Sequence, residues 1–195
     1  MDKSNTSQKK NMIMNYVYAS LVAMLVVACA VAIAMTSKLN AKSNGEIGGG
    51  DAPVAAITYV VPMKNATINK DYSGTELQFN DTMKQWEMHK AIDFLAGDEK
   101  NVFAVADGTV SNIYTNYLEG TVVEITHKNG LASIYKSLEE KLSVANGDKV
   151  AAGQVIGTAG STMSQELNAG NHLHFEMTLN GVKVDPNNYI DLGTK

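Results

Sequence analysis

The chain has 195 residues, of which 45% are hydrophobic and 18% are charged, and its formal net charge is −4. This composition is typical of one globular domain with a tail rather than of a disordered chain. The negative net charge gives no electrostatic footprint for nucleic acid. The single cysteine, Cys29, excludes an internal disulfide.

The first predicted element is a transmembrane helix at residues 16–35. This run of twenty residues carries no charge, and at 1.5 Å per residue it would span roughly 30 Å, the thickness of a bilayer core. Lys3, Lys9 and Lys10 precede the run. The positive-inside rule therefore predicts that residues 1–15 are cytoplasmic and that the chain after Met35 is extracytoplasmic.

Two other interpretations of this apolar run remain open. Ala32-Ile33-Ala34 has the small residues of a signal-peptidase site, although the run exceeds the usual apolar length of roughly 7–15 residues. Val26-Val27-Ala28-Cys29 loosely resembles a lipobox, although the apolar run continues past Cys29, where a lipoprotein turns polar.

Residues 36–53 are polar and rich in glycine, without periodicity. They are expected to form a flexible linker with a root-mean-square extent of about 20–25 Å. The rest of the chain, residues 54–195, is expected to fold as one extracytoplasmic domain.

This domain is predicted to be mainly β. β-Branched and aromatic runs of strand length recur along it, at residues 55–61, 102–105, 109–114, 121–126, 131–135, 155–158 and 173–179. Four dipeptides that favour positive φ angles separate these runs, namely Asp107-Gly108, Asn129-Gly130, Asn146-Gly147 and Asn180-Gly181. No window shows a helical period beyond one short turn at residues 137–142. The pattern indicates an antiparallel β-sandwich or barrel.

Three of the four histidines lie in two short phrases, Met88–Asp93 and Gly170–Glu176. Two imidazoles and one carboxylate leave one position of a zinc ion open, as in catalytic zinc sites. His172 and His174 are two residues apart on a predicted strand, so they project from the same face. His89 and Asp93 would be about 13 Å apart on an extended chain, so the chain must turn between them to share an ion.

The residues around these histidines resemble the core of the LytM/lysostaphin-type zinc endopeptidases. The resemblance rests on Asn146–Gly157, Gly160-Ser161-Thr162 and Gly170–Glu176, and it covers about residues 87–187. It implies a two-layer antiparallel β fold around an open groove and substrates that are peptide crosslinks of peptidoglycan. It also implies one zinc ion per chain, with His89, Asp93 and His174 as ligands and His172 as a general base or a contact of the metal-bound water.

One position departs from the pattern of these enzymes. They carry a second catalytic histidine in a phrase like Tyr-Ala-His-Leu, whereas this chain has Tyr135-Lys136-Ser137-Leu138. A hydroxyl cannot take up a proton near neutral pH, and loss of such a group typically lowers the rate by about 100–1000-fold. The metal ligands are therefore expected to be present and hydrolysis to be weak or absent.

The N-terminal apolar run, Tyr135–Leu138 and Gly170–Glu176 together are similar to the stage II sporulation protein Q family of endospore-forming bacteria. That resemblance implies a scaffold anchored in the forespore membrane. Its partner would be stage III sporulation protein AH, anchored in the mother-cell membrane, across the intermembrane space, and the pair would support engulfment and forespore development.

Three hypotheses follow from these observations. The first is a membrane-anchored, zinc-binding sporulation scaffold of low or no activity. The second is an active zinc endopeptidase that cleaves peptidoglycan peptides. The third is a lipoyl- or biotinyl-like carrier, suggested by the hairpin pattern at residues 147–157, but the nearest candidate lysine, Lys64, lies roughly 80 residues upstream.

Overall fold

A computed structural model describes residues 57–193. The predicted membrane span at residues 16–35 and the predicted linker at residues 36–53 lie outside the described residues. From residue 57 to residue 193, no helix is long and apolar enough to cross a membrane.

The described residues form twelve β-strands and three short 3₁₀-helices. In chain order the strands are β1 (Thr67–Lys70), β2 (Leu77–Asn80), β3 (Gln85–Met88), β4 (Ile92–Leu95), β5 (Asn101–Phe103), β6 (Gly108–Asn116), β7 (Gly120–Thr126), β8 (Leu131–Leu138), β9 (Lys149–Val150), β10 (Val155–Thr158), β11 (His172–Leu179) and β12 (Val182–Val184). The 3₁₀-helices are Lys128–Gly130, Ser164–Ala169 and Pro186–Asn188.

One large sheet dominates the fold, in the order β1-β4-β11-β8-β7-β6-β9, and β12 pairs with the end of β11 that β4 leaves free. Strands β5 and β10 form a second, two-stranded sheet, and β2 and β3 form a separate hairpin. Every strand pair among the described residues is antiparallel. The prediction of a mainly β, antiparallel domain is therefore confirmed.

The core lies between the large sheet and the β5–β10 pair. Val102 and Ile156 of the small sheet join Ile92, Tyr135 and Phe175 of the large sheet in one buried cluster. Burial of side chains of this size typically contributes about 1.5–3 kcal/mol each. Because Leu173 and Phe175 face this core, the alternate residues of β11 point to the opposite face.

The predicted turns have mixed outcomes. Asn180-Gly181 joins β11 to β12 with positive φ angles of 51° and 80°, and Asn129-Gly130 has φ angles of 60° and 74°. The expectation for Asp107-Gly108 is wrong, because neither residue has a positive φ and Gly108 begins β6. Glycine is needed there for space, since a Cβ would lie 2.6 Å from the carbonyl oxygen of Thr126.

The other strand predictions also differ in part from the structure. Runs 102–105, 109–114, 121–126, 131–135, 155–158 and 173–179 fall on β5, β6, β7, β8, β10 and β11. The described part of the run 55–61 is not a strand. The segment lies against the β5 region through single hydrogen bonds, from Val60 N to Val105 O and from Phe103 N to Pro62 O. Pro62 has no N–H with which to extend a ladder. The short turn at residues 137–142 is also wrong, because Ser137 and Leu138 end strand β8.

Candidate metal centre

Strand pairing brings the two histidine phrases together. Strand β4 pairs with β11 so that Asp93 lies opposite His174. His89 lies in the connection between β3 and β4, and its Nε2 is 3.2 Å from Asp93 Oδ1. The chain therefore turns between His89 and Asp93, as the spacing argument required.

Four side chains form a buried cluster at this point. His89, Asp93, Glu166 and His174 each offer one nitrogen or oxygen atom, and these four atoms lie within 4.8 Å of one another. His174 Nδ1 is 2.9 Å from Asp93 Oδ1 and 3.0 Å from Glu166 Oε2. Such a set of nitrogen and oxygen donors matches the ligands that zinc takes in proteins.

Unpartnered polar atoms point to a cation. His89 Nε2, Asp93 Oδ2 and His172 Nε2 are buried and have no hydrogen-bond partner. Leaving a buried polar group without a partner typically costs about 1–3 kcal/mol, and such groups are rare in folded proteins. A metal ion at the centre of the cluster would satisfy His89 and Asp93, so the residues present fit a zinc ion.

Backbone carbonyls set the orientation of two imidazoles. His172 Nδ1 lies 2.8 Å from Gly170 O, and His89 Nδ1 lies 3.3 Å from Asp71 O. Because a carbonyl only accepts, each Nδ1 donates its hydrogen there, and Nε2 of each ring is turned toward the cluster. The Nε2 atom of His89 is therefore the one available to a metal.

Glu176 orients the third imidazole. His174 Nε2 donates to Glu176 Oε1 at 3.1 Å, which leaves Nδ1 facing Asp93 and Glu166. Glu176 is held in turn by Lys136 at 2.8 Å and by Lys183 at 2.9 Å. A carboxylate behind a metal-binding histidine fixes the ring and raises its basicity.

The charges of the cluster favour a cation at His174 Nδ1. Burial alone would lower the pKa of His174, but hydrogen bonds to Asp93, Glu166 and Glu176 hold that pKa well above its ordinary value of 6.5. Burial alone would raise the pKa of Glu166, but its contacts with His172 and His174 hold that pKa well below its usual range. The carboxylates are therefore ionised, and a proton or a metal ion can occupy the same place between them.

Ser137 is separated from this cluster. The residue is fully buried at a φ of 64°, and its Oγ donates to Gly160 O at 3.1 Å. The neighbouring Lys136, rather than Ser137, lines the cavity of about 240 Å³ that opens over the site, together with His89, Glu166 and His174. The hydroxyl thus supplies no acid or base to the cavity.

Sequence reasoning did not identify Glu166, Glu176 or Lys136 as part of the site. Glu176 follows His172 and His174 at the same two-residue spacing on β11, so strand alternation alone indicates that it shares their face. Glu166 lies on the 3₁₀-helix Ser164–Ala169, in a segment without periodicity, and no sequence pattern points to it.

The comparisons with known proteins agree with this geometry. The model of Peptidase family M23 matches residues 87–186. Stage II sporulation protein Q of Bacillus subtilis (strain 168) is 35% identical over 144 residues, which cover 68% of this chain and 49% of that protein. Peptidoglycan DD-endopeptidase ShyC of Vibrio cholerae is 34% identical over 102 residues, which cover 52% of this chain and 23% of that protein. The chain thus spans about half the length of the first relative and about a quarter of the second.

Solved structures show the same fold. The SpoIIQ–SpoIIIAH pore-forming complex matches with a TM-score of 0.58 and 31% identity, covering 69% of this chain and 92% of that chain. The catalytic domain of lysostaphin from Staphylococcus simulans matches with a TM-score of 0.51 and 28% identity, covering 64% of this chain and 92% of that chain. The resemblance to LytM/lysostaphin-type proteins is confirmed. Because the family model covers half of its residues, the chain belongs to Peptidase family M23.

Proposed function

We propose that this protein is a zinc-binding scaffold of sporulation that binds stage III sporulation protein AH. The similarity to stage II sporulation protein Q supports the role, and two matching structures are complexes of SpoIIQ with SpoIIIAH. In this proposal His89, Asp93 and His174 hold one zinc ion per chain. The partnership would support engulfment and forespore development.

The proposed location follows from the N-terminal sequence. Residues 16–35 would anchor the chain in the forespore membrane, residues 1–15 would be cytoplasmic, and residues 36–53 would form the linker. The domain at residues 54–195 would then face the intermembrane space, where the partner from the mother-cell membrane can reach it.

The observation that carries the proposal is that the donor cluster is complete, whereas Ser137 stands where the related enzymes carry a second catalytic histidine. Zinc bound by such donors polarises a carbonyl and lowers the pKa of a bound water. Peptide hydrolysis also needs groups that move protons at the reacting atoms. His172 is the one imidazole beside the cluster that the proposed zinc set leaves free, and the Ser137 hydroxyl is directed at the Gly160 carbonyl. The site is therefore better suited to holding a metal than to turnover.

The test uses the full-length chain purified in detergent. We expect one zinc ion per chain, binding to the extracytoplasmic part of stage III sporulation protein AH, and no release of peptides from crosslinked peptidoglycan. Asp93→Ala should lose the metal, whereas Asp98→Ala, an exposed acid outside the cluster, should keep it. A wild-type chain that is metal-free or does not bind the partner would contradict the proposal.

A second candidate function is peptidoglycan endopeptidase activity. It is favoured by the buried donor cluster and by the similarity to ShyC and to the lysostaphin catalytic domain. In this case peptidoglycan peptides would occupy the cavity above His89 and His174. Cleavage by the wild-type chain that disappears in Asp93→Ala would establish this function in place of an inactive scaffold.

A further inference from the structure

Glu166 lies in the cluster without any role in the zinc set described above. It is 3% exposed, and its Oε1 is 3.7 Å from His89 Nε2 while its Oε2 is 3.0 Å from His174 Nδ1. A tetrahedral zinc ion with bonds of about 2.0–2.2 Å has ligand atoms roughly 3.3–3.6 Å apart. The two separations lie on either side of this range, 3.7 Å being slightly longer and 3.0 Å shorter. Since one donor atom of Glu166 also lies within 4.8 Å of those of His89, Asp93 and His174, the carboxylate is close enough to share an ion with them.

The loop that carries Glu166 is held in place on both sides of this residue. Asn80 Nδ2 donates to Gln165 O at 3.2 Å. On the other side, Asn168 N donates to Thr82 Oγ1 at 3.0 Å, and Asn168 Nδ2 donates to Asp81 Oδ2 at 3.1 Å. The turn of the β2–β3 hairpin thus fixes the 3₁₀-helix, so the carboxylate of Glu166 is directed inward by a defined set of hydrogen bonds.

One lysine does not balance the two buried carboxylates of the cluster. Among the described residues the lysine partner of Glu166 is Lys70, at 3.4 Å, whereas Asp93 adds a second buried carboxylate nearby. Two buried carboxylates in one cluster repel each other unless a cation lies between them. A divalent ion would offset the charges of both carboxylates and would separate them.

Glu166 also lies against the imidazole of His172. The Nε2 atom of His172 is buried and without a hydrogen-bond partner, and Glu166 Oε2 lies 3.3 Å from it. The imidazole that the family resemblance places beside the metal-bound water therefore faces a carboxylate of its own chain.

We propose that Glu166 is a fourth protein ligand, which closes the coordination position that catalytic zinc sites leave open to water. The inference rests on the proposed zinc binding by His89, Asp93 and His174 and adds to it. With two imidazoles and two carboxylates the centre is a closed, structural metal site. Two features would then prevent hydrolysis independently. Glu166 fills the coordination position that a water would need, and Ser137 replaces the second catalytic histidine.

The test replaces zinc with Co²⁺ in the full-length chain and follows its visible absorption spectrum. Azide is the probe for an open position, because an anion can bind a metal ion only where a ligand site is free or exchangeable. We expect azide to leave the spectrum of the wild-type protein unchanged. In Glu166→Ala, azide should change the spectrum, and the affinity for the metal should fall by at least about 10–100-fold, the loss typical of weaker perturbations outside the coordination sphere.

Controls separate this inference from the proposed zinc binding. Gln165→Ala changes the neighbouring residue of the same 3₁₀-helix and should behave like the wild type. Glu166→Gln keeps the shape of the side chain and should still lose metal affinity, even if Glu166→Ala folds poorly. A wild-type spectrum that responds to azide, or a Glu166→Gln affinity equal to that of the wild type, would overturn the fourth ligand. A wild-type chain that binds no metal at all would instead overturn the zinc proposal.

Discussion

His174 Nε2 donates a hydrogen bond to Glu176 Oε1 at 3.1 Å, so that Nδ1 of the same ring faces Asp93 and Glu166 in the donor cluster. Glu176 is 2% exposed, and its contacts with His174 and Lys136 outweigh burial and hold its pKa well below the usual range. A permanently ionised carboxylate behind His174 determines which ring nitrogen is available to a metal.

Glu176→Ala is therefore expected to weaken metal binding by about 10–100-fold, because the ring loses the group that orients it. Competition with a chelator measures the affinity. Glu119→Gln is the matched control. Glu119 and Glu176 both bind Lys136, at 2.6 Å and 2.8 Å, but Glu119 contacts no histidine of the cluster. Equal losses in the two variants would show that the lysine network, not the imidazole contact, sets the affinity.

Removal of the metal should destabilise the domain. If the ion binds only the folded chain, a concentration 100 times its Kd contributes about 2.7 kcal/mol, which is roughly 5–10 °C in Tm for a domain of this size. A chelator should lower the Tm of the wild type by this amount and leave the Tm of His89→Ala unchanged. Thermal unfolding followed by circular dichroism makes the measurement, and an equal drop in both proteins would exclude the cluster as the binding site.

Ser137→His should not restore hydrolysis by itself, because Glu166 would still occupy the fourth coordination position of the metal ion. The double variant Ser137→His with Glu166→Ala removes both obstacles and is expected to release peptides from peptidoglycan. Chromatography of the digestion products detects this gain. Ser137→Ala with Glu166→Ala serves as the control, and activity in Ser137→His alone would show that the position at the metal is open.

The β2–β3 hairpin exposes an apolar face. Leu77 pairs with Met88 and Phe79 pairs with Trp86, so alternation places all four on one face, with exposures of 56%, 48%, 41% and 65%. Exposed aromatic clusters are typical of binding surfaces. We expect Phe79→Ser with Trp86→Ser to weaken binding of stage III sporulation protein AH by at least about tenfold, the equivalent of 1.4 kcal/mol.

Isothermal titration calorimetry with the soluble part of the partner would measure that effect. Val182→Ser is the control, because Val182 is 68% exposed on β12, outside the hairpin. An unchanged affinity in the hairpin variant would locate the partner surface elsewhere on the domain.

His127, which lies outside the donor cluster, should make the free energy of unfolding depend on pH. Its Nδ1 lies 2.9 Å from Asp107 O and its Nε2 lies 2.7 Å from Ser133 Oγ, and burial lowers its pKa below the ordinary value of 6.5. Because the unfolded state then binds the proton more tightly, this contribution to stability is full above pH 6.5 and is lost as the pH falls toward the lowered pKa.

The stability difference between the wild type and His127→Gln should therefore shrink as the pH falls from about 8 to about 5. Urea unfolding at each pH, with chelator present in both proteins, isolates this contribution from metal binding. A difference that is constant over this range would show that His127 has the same pKa in the folded and unfolded states.

Much of the β scaffold could be predicted from local sequence. Runs such as residues 121–126 and 173–179 are long and apolar enough that burial and strand preference agree, and Asn180-Gly181 marks its hairpin by its preference for positive φ. The sequence did not predict β1, β2, β3, β4, β9 or β12, each of which has at most four residues. Some of them, such as Thr67–Lys70 and Gln85–Met88, are also half exposed. Only their pairing partners make them strands.

The candidate site divides in the same way. The sequence alone determined that two imidazole phrases and one carboxylate are present, that Ser137 stands where the family has a histidine, and that His172 and His174 share a face. The position of Ser137 follows from the family resemblance, whereas the other two conclusions follow from residue type and from the two-residue period of a strand.

Tertiary structure decided how these groups meet and what else meets them. The pairing of β4 with β11 places Asp93 opposite His174, and hydrogen bonds to the β2–β3 turn carry Glu166 into the same cluster from a loop with no pattern of its own. Ligand geometry depends on contacts between residues far apart in the chain, which local preferences do not encode. For that reason three members of the cluster, His89, Asp93 and His174, could be picked out from the sequence. The fourth, Glu166, could be picked out only from the fold.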